Sequence, residues 1–391
     1  MNMKSISKLK NLRGSSVLVR VDFNVPIQKG EVVEYNKILA SLPTIKLLRK
    51  KGARVVLISH LGRPGGKRVA SLSLKPVATT LGELLKHDVS FVSFGRAKKH
   101  IADMSDGDVV LLENIRFQKD EKKNTGDLAK KLSQLGDFFV LDGFAVAHRA
   151  SASVVGIAEY LPSYAGLLLE HEIKGLQKVL VRPKSPFVAV VGGAKIETKI
   201  PVLKAMLTKA DVILTGGGLV NTHLYAKGYG IGDSLVDKDF AKEAKKYCAS
   251  AKIPKPVDVV VGNMEGTEYR IVKIKKQKHE ICKKGEMILD VGPETILSYA
   301  GYIKKAKTIV WNGAMGYFEQ EPYNIATMAI GGTIAERAAQ KSVYAVVGGG
   351  ETVQVMELLH QSKNIDLVST GGGAMLEFLA GNELPGIQAL Q

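Results

Sequence analysis

Short apolar runs rich in Val, Ile and Leu alternate along this chain with longer stretches of helical period. Runs at 17–19, 55–59, 109–112 and 138–141, then 188–191, 212–214, 309–310, 343–347 and 367–368, are continuous rather than alternating. Continuity marks strands buried on both faces, as in parallel sheets covered by helices. Between the runs, 43–51, 74–86 and 125–135, and later 199–209, 239–251, 333–340 and 352–360, carry apolar residues at helical spacing. The first of these sets Ile45, Leu47 and Leu48 on one face and closes at Gly52, which suits a C′ glycine. Repeated βα units predict an α/β fold of doubly wound parallel sheets with right-handed crossovers.

The two halves end their strands in different chemistry. In the first half the runs stop at polar and cationic residues: Asp22 and Asn24, His60 and Arg63, Arg116, then His148 and Arg149. In the second half they stop at glycine: 192–193, 216–218, Gly313, 348–350 and 371–373. Ligands of open parallel sheets bind beyond the carboxyl ends of the strands. One half thus offers cations to a small anion and the other offers bare backbone to phosphates, a layout for phosphoryl transfer between two substrates.

The domain boundary is expected between Pro162 and Pro186, with 168–180 as one helix joining the halves, and 262–290 as a small antiparallel insert. The 391 residues allow two to three domains at about 150 residues each. With 45% hydrophobic and 24% charged residues the chain has ample core and is not disordered. No repeat of solenoid period is present. Cys248 and Cys282 form no spaced pair, so neither a zinc site nor a disulfide framework is expected. Residues 1–13 are polar and lysine-bearing, with no apolar stretch of a secretory signal, and no run approaches membrane-spanning length. A soluble cytoplasmic protein is expected.

The formal charge of +17 admits a nucleic-acid surface, an anionic substrate or a solvated lysine-rich exterior. Lysines such as Lys242, Lys245 and Lys246 scatter through predicted helices, and the dense run reaching from Lys273 to Lys278 reads as the solvent face of an edge strand. No aromatic ladder interleaves it, so nucleic acid is not an expected partner.

Several residues could carry chemistry. Lys195 and Lys199 follow Gly192-Gly193-Ala194, and a helix beginning there would project both lysines on one side near its positive end. Two solvated lysines after a tight turn fit the same pattern. Gly348-Gly349-Gly350-Glu351-Thr352 adds a carboxylate and a hydroxyl, hard ligands for nucleotide-bound Mg²⁺, although Glu351 also complements a helix dipole. Ser369-Thr370-Gly371-Gly372-Gly373 precedes an apolar helix at 374–379 and is a third bare helix start. His60 stands at a strand end beside Arg63, and the guanidinium groups of Arg63, Arg116 and Arg149 should converge on a carboxylate or phosphate. Asp22 and Asn24 offer acceptors for substrate hydroxyls, or Asp22 pairs with an arginine. Glu319 suits ribose hydroxyls, whereas Trp311 belongs to the core.

These residues together closely resemble the phosphoglycerate kinase family. The resemblance runs in family order through Val19-Arg20-Val21-Asp22-Phe23-Asn24-Val25-Pro26, Leu42-Pro43-Thr44-Ile45, Ser59-His60-Leu61-Gly62-Arg63-Pro64 and Glu113-Asn114-Ile115-Arg116-Phe117. It continues through Ala147-His148-Arg149-Ala150, Gly192-Gly193-Ala194-Lys195, Trp311-Asn312-Gly313, both triple-glycine loops and Leu384-Pro385-Gly386-Ile387. It implies two Rossmann-like domains facing across a hinged cleft: 1–165 with the C-terminal 382–391 for phosphoglycerate, and 166–381 for Mg-nucleotide, with 162–186 as connector. It implies a glycolytic, monomeric enzyme that exchanges a phosphoryl group between 1,3-bisphosphoglycerate with ADP and 3-phosphoglycerate with ATP, using Mg²⁺. By the same resemblance Asp22, Phe23, Asn24, Lys37, His60, Leu61, Gly62, Arg63, Arg116 and Arg149 would bind phosphoglycerate. Gly193, Lys195, Lys199, Gly216, Gly217, Asn312, Glu319 and Gly348, Gly349, Gly350, Glu351 and Thr352 would hold the nucleotide, with Glu351 towards the metal. Lys37, Lys195, Gly371 and Gly372 would stabilise the phosphoryl group in transfer.

The chain departs from the family pattern in places. Asn36-Lys37-Ile38 replaces a Thr-Arg-Ile setting, which keeps the charge and loses the planar fork. Glu351 replaces an aspartate, Ala314 a proline, Ala326 a glycine before Thr327, and Gly143 the alanine of Asp-Ala-Phe. A catalytically weakened relative that binds nucleotide or glycerate phosphates for regulation is therefore a second reading, and a nucleic-acid binder a third. A nicotinamide dehydrogenase is disfavoured because no G-x-G-x-x-G opens a helix ahead of an acidic residue.

Overall fold

The computed structural model describes residues 3–391, so Met1 and Asn2 of the N-terminal segment lie outside the described residues. The chain divides into two compact units, one reaching to Lys174 and including Glu383–Gln391, the other spanning Gly175–Asn382.

The first unit contains β1 (Ser16–Arg20), a two-residue hairpin of β2 (Ile27–Gln28) and β3 (Glu31–Val32), β4 (Arg54–Ile58), β5 (Val89–Val92), β6 (Val109–Leu112), β7 (Phe138–Leu141) and β8 (Ser163–Ala165). Six of these form one sheet in the order β5-β6-β4-β1-β7-β8. The pairing is parallel throughout, with Val19 opposite Leu57 on one side and Val140 on the other. β1 is buried at every position, as its unbroken apolar run requires. Its helices are α1 (Asn36–Lys50), α2 (Lys75–Leu85), α3 (Ala97–Ala102), α4 (Leu128–Ser133) and the start of α5 (Leu167–Val181). One core gathers Val17, Val19, Ile45, Leu48, Val55, Leu57 and Leu81 between sheet and helices.

The second unit contains β9 (Phe187–Val191), β10 (Val212–Thr215), β11 (Asp258–Gly262), β12 (Tyr269–Lys273), β13 (Met287–Val291), β14 (Thr308–Asn312), β15 (Tyr344–Gly348) and β16 (Leu367–Ser369). A parallel sheet runs β10-β9-β14-β15-β16, while β12-β11-β13 form an antiparallel sheet of their own. The helices are α6 (Ile200–Lys209), α7 (Gly218–Ala226), α8 (Ala241–Cys248), α9 (Pro293–Ile303), α10 (Ile325–Ala338), α11 (Gly350–Leu358) and α12 (Gly372–Leu379); the short α13 (Pro385–Gln388) belongs to the first unit. Trp311 is fully buried in this unit's core, with Val190, Ile309, Ile330 and Val347. Both cysteines are free and buried. No helix among the described residues is long and apolar enough to cross a membrane.

Three sequence-based expectations need correction. The first helix does not begin at Pro43: α1 starts at Asn36 and carries Pro43 in its interior. The missing proline N–H leaves a carbonyl one turn back without its helical donor, a cost the buried Ile38, Leu42, Ile45 and Leu48 offset through packing. The helix after Gly192-Gly193 does not include Lys195 or Lys199. It starts at Ile200, and Lys199 is its N-cap, because the Lys199 and Ile200 amides both turn back to the Ile196 carbonyl and close a turn first. The basic run near 273–278 lies mostly beyond β12, which ends at Lys273; the strand is an edge, as expected.

Candidate active site

In the first unit the strand order explains the convergence of charge. β6, β4, β1 and β7 are consecutive neighbours, so the loops that follow them bring Arg116, His60 and Arg63, Asp22 and Asn24, and Arg149 side by side. Arg63, Arg116 and Arg149 line one cavity of about 660 Å³, joined by Arg20, Lys119, Lys122 and Lys123. Among the described residues the only carboxylate on this wall is Glu121, which is buried and accepts from the Ser153 hydroxyl at 2.6 Å and the Ser153 amide at 3.0 Å.

Next to this cavity a network fixes the remaining predicted residues. Lys37 reaches back from the first turn of α1 and pairs with Asp22 at 2.7 Å, also donating to the Asn24 carbonyl at 3.3 Å. The Asn24 side chain accepts from the Gly62 amide at 2.9 Å, and Arg116 Nη1 donates to the Gly62 carbonyl at 2.6 Å. His60 is buried, with Nδ1 3.2 Å from Arg20 Nη2 and 3.6 Å from Asp22 Oδ1. Burial, then the charges of Arg20, Arg149 and Lys37, hold its pKa well below the ordinary histidine range. Phe23 and Leu61 lie with their side chains in the hydrophobic core, which leaves only their main chain for a ligand. Gly143, where the family carries alanine, is tightly enclosed: a Cβ there would lie 3.0 Å from the Asp22 amide nitrogen, so the loop after β1 would have to give by a few tenths of an ångström.

In the second unit every strand of the parallel sheet ends in a glycine loop, and the loops interlock through backbone. The Gly193 amide donates to the Ala314 carbonyl at 2.6 Å, Gly217 to Met315 at 2.7 Å and Gly218 to Gly193 at 3.1 Å. Gly217 has φ of +59°, and a Cβ there would meet the Gly193 carbonyl oxygen at 2.8 Å. Side chains could not be accommodated at this spacing. A Cβ on Gly372 would come within 3.2 Å of Gly349, so the two triple-glycine loops lie against each other at the starts of α11 and α12.

Lys199 is buried and its ammonium donates to the Asn312 side chain, whose amide in turn donates to the Gly348 carbonyl. This chain ties the loops after β9, β14 and β15 together. Burial lowers the Lys199 pKa to about 8, against the opposing pull of Glu351. Lys195, by contrast, is exposed and forms no ion pair with a described residue. A cavity of about 340 Å³ opens beside these loops; Gly193, Gly217, Glu319 and Glu351 line it, with Val220, Leu235, Met264 and Met287 as an apolar slot. Gly216 is not on its lining; its missing Cβ gives way to Met315 instead. Thr352 is buried and its hydroxyl donates to the Gly349 carbonyl at 3.0 Å.

Two departures from the family pattern meet here. The Ala314 amide donates to Glu351 Oε2 at 3.4 Å. A proline would have no N–H to give, and an aspartate would be one methylene shorter.

Sequence reasoning missed Arg20, Glu121 and Ser153 around His60, and Asp290 on the nucleotide-side cavity. Arg20 left a signal, since a charged residue closes an otherwise apolar strand. Asp290 left none. Burial raises its pKa to about 8, and it accepts from the Val291 and Ala326 amides, both at 2.9 Å.

The donor set fits a nucleotide-borne Mg²⁺: of the three carboxylates on the cavity, Asp290 is taken up by two amides and Glu351 stands in the first turn of α11, and Mg²⁺ takes few protein ligands because it keeps water and phosphate oxygens. No group of three or more His, Cys, Asp or Glu residues that could cage a metal occurs among the described residues.

The comparisons with known proteins agree with this geometry. The family model described as phosphoglycerate kinase matches residues 6–382. Proteins named phosphoglycerate kinase from Borreliella afzelii and Borrelia garinii are 42% and 43% identical over 402 aligned positions, covering all of this chain and all of each relative. The phosphoglycerate kinase structure from Coxiella burnetii superposes with a TM-score of 0.84 at 38% identity, covering 100% of this chain and 99% of that one. That from Pyrococcus horikoshii gives 0.86 at 34% identity, covering 100% and 98%. The chain belongs to the phosphoglycerate kinase family, the glycolytic kinases that exchange a phosphoryl group between 1,3-bisphosphoglycerate and ADP.

Proposed function

We propose that the cationic cavity of the first unit binds phosphoglycerate and that the glycine loops of the second bind ADP or ATP with Mg²⁺. The observation that carries this reading is the contrast in lining: seven Arg and Lys side chains surround one cavity, and bare glycine backbone with an apolar slot surrounds the other. Arg63, Arg116 and Arg149 neutralise the phosphate and carboxylate of the triose, bidentately where the fork allows. Asp22 and Asn24 accept from its hydroxyl. The apolar slot receives the base, Glu319 the ribose hydroxyls, and Lys199 with the amides of 348–350 the polyphosphate.

Glu351 would hold Mg²⁺, which when bound neutralises charge on the nucleotide phosphates. Lys195, exposed and unpaired, is free to follow the transferring phosphoryl group, with the Gly371 and Gly372 amides as further donors. Phosphoryl transfer needs in-line positioning and charge stabilisation more than covalent chemistry, so no enzyme intermediate is invoked. The connector at 162–186 would serve as a hinge, and a cytoplasmic monomer is the proposed working form.

A coupled assay with 3-phosphoglycerate, ATP and Mg²⁺ tests the reading, with Lys195→Ala beside the unaltered protein. Loss of one preorganised charge donor is expected to lower kcat about a hundredfold or more. Full turnover in the variant would remove Lys195 from the mechanism.

A further inference from the structure

Arg20 ends β1 with its guanidinium buried among protein groups, only 1% exposed. Its Nε donates to the Ser153 hydroxyl at 2.8 Å, and that hydroxyl donates to Glu121 Oε1 at 2.6 Å. Nη1 donates to the Val21 carbonyl. Nη2 lies 3.2 Å from His60 Nδ1. A guanidinium stays protonated and has no acceptor. Its contact with Nδ1 is therefore a hydrogen bond only when Nδ1 carries a lone pair. A proton on Nδ1 would set two N–H groups against each other.

The competing partner for an Nδ1–H is Asp22 Oδ1, at 3.6 Å, which is beyond hydrogen-bond length. Asp22 is moreover engaged by Lys37 on Oδ2, and Oδ1 accepts from the Asn24 amide at 3.3 Å. The charged and titratable groups that face His60 are Arg20 and Asp22 from β1 and the loop after it, Lys37 from α1, and His148 and Arg149 after β7. Four of these five are basic, so a further positive charge on the ring is opposed from several sides.

We propose that Glu121, Ser153 and Arg20 form a positioning relay that fixes His60 as the neutral Nε2–H tautomer. His60 then meets phosphoglycerate as a hydrogen-bond donor and not as a cation, a role that rests on the assignment of the cationic wall made above. Glu121 orients the serine, the serine orients the guanidinium, and the guanidinium selects the tautomer. Arg20 is thus a positioning residue, and the triose meets the Nε2–H of His60. The consequence is constancy: this donor stays unchanged across the range in which an exposed histidine would gain charge.

Long-range ¹H–¹⁵N correlation on the full-length labelled protein reads the tautomer directly, with the His60 signals assigned by their loss in His60→Gln. An unprotonated Nδ1 and a protonated Nε2, unshifted from about pH 5.5 to 8, are expected. A protonated Nδ1, or a His60 that titrates within that window, would overturn the relay, and this measurement needs no variant of the network. Arg20→Lys, which keeps a donor-only cation, should preserve the tautomer. Arg20→Met should release it and make KM for 3-phosphoglycerate pH-dependent while kcat changes less. A folded Arg20→Met protein that is less stable but keeps the tautomer and a flat KM profile would show a structural role alone and overturn the proposal. Adding 3-phosphoglycerate should move the Nε2–H resonance. If the tautomer is as expected and the ligand leaves Nε2 unmoved, the substrate assignment fails, and with it the donor role, while the relay within the protein stands.

Discussion

In the first unit the groups at the strand ends are side chains, and in the second they are main-chain amides. Arg63, Arg116 and Arg149 approach their cavity on long stems, steered by single hydrogen bonds such as Arg116 to the Gly62 carbonyl. The loops of the second unit instead touch one another so closely that a Cβ on Gly217 would fall 2.8 Å from a neighbouring carbonyl oxygen. Side-chain recognition adapts to a small, highly charged ligand. Backbone recognition is rigid and suits a phosphate chain of fixed geometry. The two should therefore fail differently.

Single substitutions separate them. Arg149→Ala removes a charge-assisted contact worth about 1.5–3 kcal/mol, so KM for 3-phosphoglycerate should rise roughly tenfold to a hundredfold with ADP affinity unchanged. Gly217→Ala forces a left-handed backbone and a steric clash, costing about 1–3 kcal/mol, and should weaken ADP while leaving phosphoglycerate binding intact. Calorimetry with each ligand on both variants reads the split. A Gly217→Ala protein that binds ADP normally would break the backbone half of the comparison.

The second unit has one buried cation among its amides, and it is sensitive to pH. Burial puts the Lys199 ammonium at about 8 in the free protein. Below that value the lysine is charged and ready for phosphate; above it, binding must first take up a proton. ADP affinity should thus fall about tenfold between pH 7 and 9, the slope expected of one linked proton. Lys199→Met should bind weakly and lose that slope. The arginines of the first unit stay charged throughout, so phosphoglycerate binding should show no matching loss.

Much of this contrast was legible in the sequence for a physical reason. Parallel strands place consecutive loops at one edge, so the residues after each apolar run had to meet, and the strand order β6-β4-β1-β7 joined Arg116, His60, Asp22 and Arg149. Helix starts were less legible. Lys195 and Lys199 are one helical turn apart in sequence, yet a turn closing on Ile196 exposes the first and buries the second. Asp290 could not be found at all, because its role depends on amides from Val291 and the distant Ala326.

In each unit burial also raises the pKa of a carboxyl well above its usual range, and the two groups differ in how they can be replaced. Burial raises Asp142 to about 7 and Asp290 to about 8, from ordinary carboxyl values near 4. The folded protein therefore binds more protons than the unfolded chain, and stability falls as pH rises from about 4 to 7 for Asp142 and to 8 for Asp290. Asp142 Oδ1 accepts from Thr44 at 2.6 Å and Leu168 at 3.1 Å, whereas Oδ2 has no partner. Asp142→Asn keeps those acceptor contacts and should raise the denaturation midpoint at pH 8 with no gain at pH 5. Asp290→Asn loses an acceptor for one of two amides and should gain less. A wild-type midpoint that does not fall between pH 5 and 8 would contradict both.

The smallest expected effect concerns Lys37, a cation of the first unit that lacks a planar fork. Lys37 spends its ammonium on Asp22 at 2.7 Å and on the Asn24 carbonyl at 3.3 Å, contacts within its own unit. An arginine at the same place on α1 has five N–H groups in fixed directions, so it could retain Asp22 with one edge and offer the other to the reacting carboxyl-phosphate. Lys37→Arg should therefore raise kcat a few-fold, the gain appearing in turnover because the added contact acts on the group in transfer. ADP affinity, which the proposed function assigns to backbone of the second unit, should not change. No gain in kcat would mean that alignment by this residue does not limit the rate, and that lysine at 37 is a substitution the first unit absorbs through Asp22.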